Sequence, residues 1–335
     1  MSQKAIAVLT SGGDAPGMNA AFRAVVRAGI SKGMKVYGIY RGYNGLLHGD
    51  SEENIQEMNL RSVSEIIGNG GTKLYTARCK EFEKPEVQRK AAEFLIKKGI
   101  DGLVVIGGDG SFRGARALSN TVLDIDGEKK SVKCIGVPGT IDNDIACSEY
   151  TVGFDTAMNT ALQMIDRIRD TAQSHDRCSV VQVMGRHCGD IALQTGIAVG
   201  ATAILVPEVK YNIERDVITR IVKTQKTGKQ HFIVVGAEGV GGVRDLAKYI
   251  EQRLGIEARA TILGHVQRGG SPTLRDRVVA SQMGYKAVEL LDHDVTNRVV
   301  VMQNGKITDL DINDALNMER VFDEELYNIA MTISI

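Results

Sequence analysis

Residues 102–111 read GLVVIGGDGS. The first six positions form an apolar run without polar alternation, the pattern of a strand covered on both faces. The next four place a Gly-rich turn between that strand and a helix beginning near Ser111. Strand, glycine turn, helix is the βα signature of a parallel sheet, and it recurs along the chain. Unbroken apolar runs predict further strands at 5–9, 36–40, 132–137, 179–183, 203–206, 231–236, 260–263 and 298–302. Apolar residues spaced by three and four predict helices over 19–32, 87–98, 154–171, 189–198, 214–226, 244–254 and 273–291. The fold class is α/β, with mostly parallel sheets flanked by helices. A length of 335 residues favours two lobes, each able to bury its own core, and no low-complexity linker marks a boundary.

The composition narrows the function classes. With 41 basic and 41 acidic residues the chain has no net charge, which argues against nucleic acid or an anionic membrane as partner, because such binders carry a basic excess. An anionic ligand must be met locally. Five cysteines, at 79, 134, 147, 178 and 188, form neither CxxC pairs nor an even framework, as expected in a reducing compartment. The N-terminus lacks the apolar core of a signal peptide, and no apolar run approaches the roughly 20 residues that span a bilayer. A cytoplasmic protein is expected.

The polar segments that follow the strands carry the chemistry. TSGGDAPGMN follows 5–9, GGDGS follows 102–106, PGTIDND follows 132–137, MGRHCGD follows 179–183, GAEGVGG follows 231–235 and GHVQRGGSP follows 260–263. Ligands of open α/β sheets bind outside the carboxyl ends of strands, so these loops are expected to converge on one cleft. Gly12, Gly13, Gly107, Gly108 and Gly110 would let backbone N–H groups approach a phosphate at a helix N-terminus, or would serve only as tight turns. Neither loop matches GxxxxGK[ST] or GxGxxG. Asp109 suits a phosphate cradle if Mg²⁺ lies between them; alternatively it caps the helix. In an extended segment Asp142 and Asp144 would project to one side, as a general base and its metal- or water-orienting neighbour, or as solvated turn residues. Arg78, Arg177, Arg186, Arg259 and Arg268 offer guanidinium forks for phosphates, and His265 could join Arg268 on a second phosphate. The remaining histidines, 48, 175, 187, 231 and 293, lack metal-ligand spacing and read as structural or surface residues.

TSGGDAPGMNA, IGGDGS, PGTIDND, VMGRHCGD and GHVQRGGSP, in this order, resemble the bacterial 6-phosphofructokinases, from about residue 4 to about residue 320. The resemblance implies two similar Rossmann-like lobes with the active site in the cleft between them: residues 1–153 with 267–316 for the nucleotide, and 154–266 with 317–335 for the sugar phosphate. It implies a homotetramer that transfers the γ-phosphoryl group of Mg-ATP to the 1-hydroxyl of fructose 6-phosphate. Gly13, Tyr43, Arg78, Cys79, Gly108, Asp109, Gly110 and Ser111 match the nucleotide site, with Asp109 on Mg²⁺. Asp142 matches the catalytic base, with Thr140, Asp144 and Arg186 beside it in the reaction. Thr140, Ile141, Met184, Gly185, Arg186, Glu238, His265, Val266, Gln267 and Arg268 match sugar-phosphate contacts, and Arg177 and Arg259 would reach the site of a neighbouring subunit. Pyrophosphate-using relatives carry Asp at the position of Gly110 and Lys at that of Gly139, so ATP is the expected donor.

Arg23, Arg27, Arg61, Arg169 and Lys229 match an effector site for ADP or phosphoenolpyruvate. Arg23 and Arg27 are one helical turn apart. Thr202, however, stands where a metal-binding Glu is usual, and Thr227 replaces a basic residue, which puts activation by Mg-ADP in doubt. Residues 124–132, DIDGEKKSV, make a segment longer than usual in the family, and its charge predicts a solvent-exposed loop rather than a site. Two rivals share part of the pattern. NAD or lipid kinases explain 107–110 but leave PGTIDND, MGRHCGD and GHVQRGG unused; a catalytically dead nucleotide or sugar-phosphate sensor would be expected to have lost Asp109, Asp142 or the arginines.

Overall fold

The computed structural model describes residues 3–47 and 53–334; His48 lies outside them. Two compact units are present: 1–141 with 145–155 and 268–320, and 142–144 with 156–267 and 321–335.

In the first unit the strands are β1 (Ala5–Thr10), β2 (Lys35–Ile39), β3 (Ile55–Met58), β4 (Gly102–Gly107), β5 (Leu123–Ile125), β6 (Glu128–Lys130) and β7 (Lys133–Pro138). In the second they are β8 (Cys178–Val183), β9 (Ala203–Leu205), β10 (Phe232–Ala237) and β11 (Ala258–Ile262); β12 (Arg298–Gln303) and β13 (Lys306–Asp311) return to the first. The first sheet has the order β13-β12-β7-β4-β1-β2-β3, parallel within and antiparallel only at the edge strands β3 and β13.

The unbroken runs are explained by cover on both faces. From β1, Ala7 and Leu9 enter a core with Leu103, Val105, Phe112 and Leu118. Ile6 faces the other way, toward Gly29 of α1 (Met18–Ser31) and, across Gly102, toward Leu291 of α9 (Leu274–Asp292). Helices α1 and α9 pack at small residues: a Cβ on Gly284 would lie 2.6 Å from the Ala21 carbonyl oxygen. The opposite core is closed by α2 (Asn44–Leu47), α3 (Pro85–Lys97), α4 (Asp109–Ser119) and α10 (Ile312–Asn317).

A buried link ties α9 to the segment after β7. Asp276, fully buried, accepts the Tyr150 hydroxyl at 2.5 Å and the Gly153 amide at 2.7 Å. Thr273 caps the helix by accepting the Asp276 amide. Burial and the Asp276 charge push the Tyr150 phenol far up, so it stays a donor.

The second unit carries a smaller, wholly parallel sheet of order β11-β8-β10-β9. Its strands meet α6 (Asp190–Ala198), α7 (Thr219–Gln225) and α8 (Val243–Leu254), with Cys178, Val180, Phe232, Val234, Ile221 and Ile250 in the core. The helix α5 (Phe154–Ser174) precedes β8, and α11 (Glu324–Ile333) packs on α6 and β9. Arg220 anchors that end: it donates to the Thr202 carbonyl at 3.0 Å, to the Met331 carbonyl and to the Ser334 hydroxyl.

Three local expectations are corrected. Residues 124–132 are not a loop: 123–130 fold as the hairpin β5-β6, turning at Asp126 and Gly127 with φ of 55° and 81°, the two positive φ values of a type I′ turn. The helix expected over 214–226 opens with a π-type turn at Glu214–Ile218, where the Thr219 hydroxyl donates five residues back to the Glu214 carbonyl. Asp142 and Asp144 are not on an extended segment, because Asn143 between them is left-handed at φ 52°.

Candidate active site

Two strand-end loops of the first unit are laced together. The Ser11 amide donates to the Ile106 carbonyl at 2.9 Å, and the Ser111 hydroxyl donates to the Ser11 carbonyl at 3.2 Å. The Tyr43 hydroxyl donates to the Ser111 carbonyl at 2.6 Å while its ring stacks on Phe82, centroids 4.1 Å apart. Tyr43 is buried and its phenol is pushed well up by desolvation, so it braces the loop.

Helix α4 starts on this frame. Gly108 is its N-cap with no side-chain cap, and Asp109 is its first residue rather than its cap. A Cβ on Gly108 or Gly110 would meet nothing within 4 Å. The orphan N–H groups of the helix start, and its partial positive charge, therefore adjoin open space. Asp109 is exposed; its charge, after burial, helps push the Cys147 thiol up to about 11.

Arg268 lies over the other glycine loop. Its Nη1 donates to the Asp14 carbonyl at 3.1 Å, and a Cβ on Gly13 would come within 2.7 Å of that nitrogen. Arg78 is exposed next to Cys79, whose thiol burial pushes up and away from the reactive thiolate. Thr140 is held from behind, its carbonyl accepting the Thr151 hydroxyl at 2.6 Å, and Ile141 is buried.

In the second unit Asp142 is half-buried and Asp144 exposed. Asn143 between them donates to Asp190 at 3.1 Å, joining PGTIDND to the first turn of α6. Gly185, at φ 118°, accepts the Gly239 amide at 3.0 Å. The Met184 amide donates to fully buried Gln267 at 2.8 Å. The loops after β8, β9 and β10 line a cavity of about 560 Å³ whose wall includes Arg186, His187, Glu208 and Glu238. His187 and Glu208 escape the sequence: His187 reads as an ordinary surface residue, though its place beside Arg186 in MGRHCGD was a signal. Glu208 also receives the Gly189 amide at 2.8 Å. His265 and Val266 are exposed on the turn after β11.

Arg177 and Arg259 meet at Glu257, at 2.6 and 2.5 Å, and their hydrogen bonds and charge hold its carboxyl below the usual range. Of the effector candidates, Arg23 and Arg27 are on α1 and Arg61 on an exposed turn. Arg169 donates to the Val199 carbonyl. Desolvation and the Arg169 charge lower the Lys229 pKa, and His231 is lowered by burial and by both cations. His231 is thus part of that basic group, which the sequence misses. Thr202 is fully buried, its carbonyl held by Arg220, and the Thr227 hydroxyl donates to the Thr224 carbonyl.

The phosphofructokinase family model matches residues 5–291. The chain belongs to the phosphofructokinase family. An ATP-dependent 6-phosphofructokinase of Clostridium botulinum (strain Hall) is 58% identical over 99% of both chains. Phosphofructokinase from Saccharomyces cerevisiae superposes with a TM-score of 0.86 at 34% identity, and the Pichia pastoris enzyme, described in its T-state, with 0.85 at 35%. Both cover 99% of this chain, which spans 48% and 39% of theirs, about half the length or less. No helix among the described residues is long and apolar enough to cross a membrane.

Proposed function

We propose that the protein is an ATP-dependent 6-phosphofructokinase, a glycolytic phosphotransferase that converts ATP and D-fructose 6-phosphate into ADP and fructose 1,6-bisphosphate under allosteric control. The observation that carries this reading is the 58% identity, over 99% of both chains, to a relative of that activity. The open, glycine-flanked start of α4 supports it as a place for the ATP phosphates.

Gly13, Arg78, Cys79 and Gly108 to Ser111 would hold the nucleotide, with Tyr43 fixing Ser111. Asp142 would take the proton of the sugar 1-hydroxyl as its oxygen attacks the γ-phosphorus. The bond from that phosphorus to the β–γ bridging oxygen breaks, and ADP leaves with the electron pair. Thr140, Asp144 and Arg186 would orient the reacting groups, Arg186 would balance charge on the transferred group, and Arg268 would hold the sugar phosphate. Ile141, Met184, Gly185, Glu238, His265, Val266 and Gln267 would shape the sugar-phosphate site, with Arg177 and Arg259 supplied by a neighbouring copy in a homotetramer.

Asp109 fits Mg²⁺: an exposed carboxylate at the mouth of a phosphate cradle is the donor this ion takes, alongside substrate phosphates and water. When bound, the metal would neutralise phosphate charge. Arg23, Arg27, Arg61, Arg169 and Lys229 would serve an anionic effector, and a cytoplasmic location accords with the chemistry. A coupled assay of fructose 1,6-bisphosphate formation from fructose 6-phosphate and Mg-ATP tests the reading. Lack of turnover would favour a nucleotide or sugar-phosphate sensor.

A further inference from the structure

The phosphate loops follow the carboxyl ends of β1, β4 and β7. The amino ends of the same strands form a second concave surface. A cavity of about 720 Å³ there is lined by Lys35, Lys98, Lys129, Lys130 and Lys133 against a single carboxylate, Asp101. Lys35 opens β2, Lys98 caps the C-terminus of α3, Lys129 and Lys130 belong to β6, and Lys133 opens β7. Four separate elements thus bring lysines to the wall of one hollow in a chain with no net charge.

The internal counter-charges fall short of these cations. Lys130 pairs with Glu128 at 3.1 Å and Lys133 with Asp294 at 2.5 Å. Lys98 stands over the Tyr37 ring, 5.8 Å from its centroid, a cation–π contact that leaves its charge available. Among the described residues no carboxylate lies within 4 Å of the Lys35 or Lys129 ammonium. The carbonyls at the end of α3, which would repel an anion, are occupied: the Gly99 and Ile100 amides donate to Ile96 and Leu95. Tyr37, Ile96 and Ile100 add an apolar wall.

We propose that this cavity binds a small organic phosphate carrying at least two negative charges, at a site separate from the catalytic loops. The volume is that of a small-molecule pocket, and the lack of a basic excess over the whole chain disfavours a long polyanion. A six-residue strand separates the two ends of the sheet by about 20 Å, so one ligand cannot serve both. Two of the five lysines, Lys129 and Lys130, come from the β5-β6 hairpin.

The test is equilibrium dialysis of the full-length protein with radiolabelled inorganic tripolyphosphate at low salt, against the double variant Lys35→Glu/Lys129→Glu. The expected result is one fewer bound equivalent per chain, or at least a tenfold weaker class of sites, with kcat and KM for ATP unchanged. Both lysines are exposed, and the milder Lys35→Ala/Lys129→Ala pair, checked for an unaltered melting temperature, should weaken the same class. Identical binding isotherms for the wild type and both folded variants would overturn the proposal. So would a loss accompanied by a raised KM for ATP, since that would assign the lost equivalent to the catalytic loops.

Discussion

Replacing Gly110 with Asp separates folding from donor recognition. Gly110 is the second residue of α4, is exposed, and a Cβ there meets no atom within 4 Å. The substitution therefore brings no clash, and a carboxylate in the first turn of a helix is favourable by about 0.3–1 kcal/mol. Thermal stability should hold or rise slightly. The same carboxylate would occupy the space proposed for the ATP phosphates. Two unit charges about 5 Å apart at an effective dielectric constant of about 20 repel by about 3 kcal/mol, a loss of about two-hundredfold. The expected outcome is a fall of that order in kcat/KM for ATP, followed by coupled ADP release, with KM for fructose 6-phosphate within about twofold of wild type. An unchanged kcat/KM for ATP in a variant that melts like the wild type would refute the assignment of this space to the nucleotide.

Asp142→Ser should lower kcat by at least about 10²-fold, the minimum contribution of a positioned general base, while leaving substrate affinity near wild type; normal turnover would remove Asp142 from that role. Asp276→Ala removes the one oxygen, Oδ1, on which two donors, the Tyr150 hydroxyl and the Gly153 amide, converge. Leaving these buried donors without their acceptor should cost at least about 2–3 kcal/mol in denaturant unfolding, and a loss under about 0.5 kcal/mol would contradict the buried network. Hydrogen bonds from Lys133 and Lys4 lower the Asp294 pKa from 3.8 to about 2. Its folded pKa is depressed, so its stabilising contribution is complete above the unfolded pKa near 4 and is lost as pH falls toward 2; because the carboxylate is exposed that contribution is small. Carbonyl-detected NMR should give a midpoint near 2, and one near 3.8 would show the pairs absent in solution.

The interior strands can be read from sequence because both their faces are buried: AIAVL and GLVVIG leave no polar side. The edge strands hide for the complementary reason. β6, EKK, is wholly exposed and β13, KITDLD, mostly half-exposed, so neither has an apolar run. Their turns were the available signal, Asp126-Gly127 and Asn304-Gly305, all at positive φ. Helix α4 is masked at its start by Gly108 and Gly110, which are poor helix formers. Among the candidate site residues, the motifs single out Asp142, Arg186 and Arg268. They do not reveal that Arg268 lies on the Gly13 loop, that Asn143 turns left-handed between two carboxylates, or that Arg177 and Arg259 share Glu257. Those depend on contacts between residues far apart in the chain, or on one backbone angle, which spacing alone does not encode.

The most direct test of the central claim is one phosphorus NMR time course of the protein with fructose 6-phosphate, Mg²⁺, ATP and pyrophosphate together. The account predicts that ADP and a sugar C1 phosphomonoester appear at equal rates while the pyrophosphate signal stays constant. Consumption of pyrophosphate with ATP intact, or ADP formed without the C1 phosphate, would contradict it.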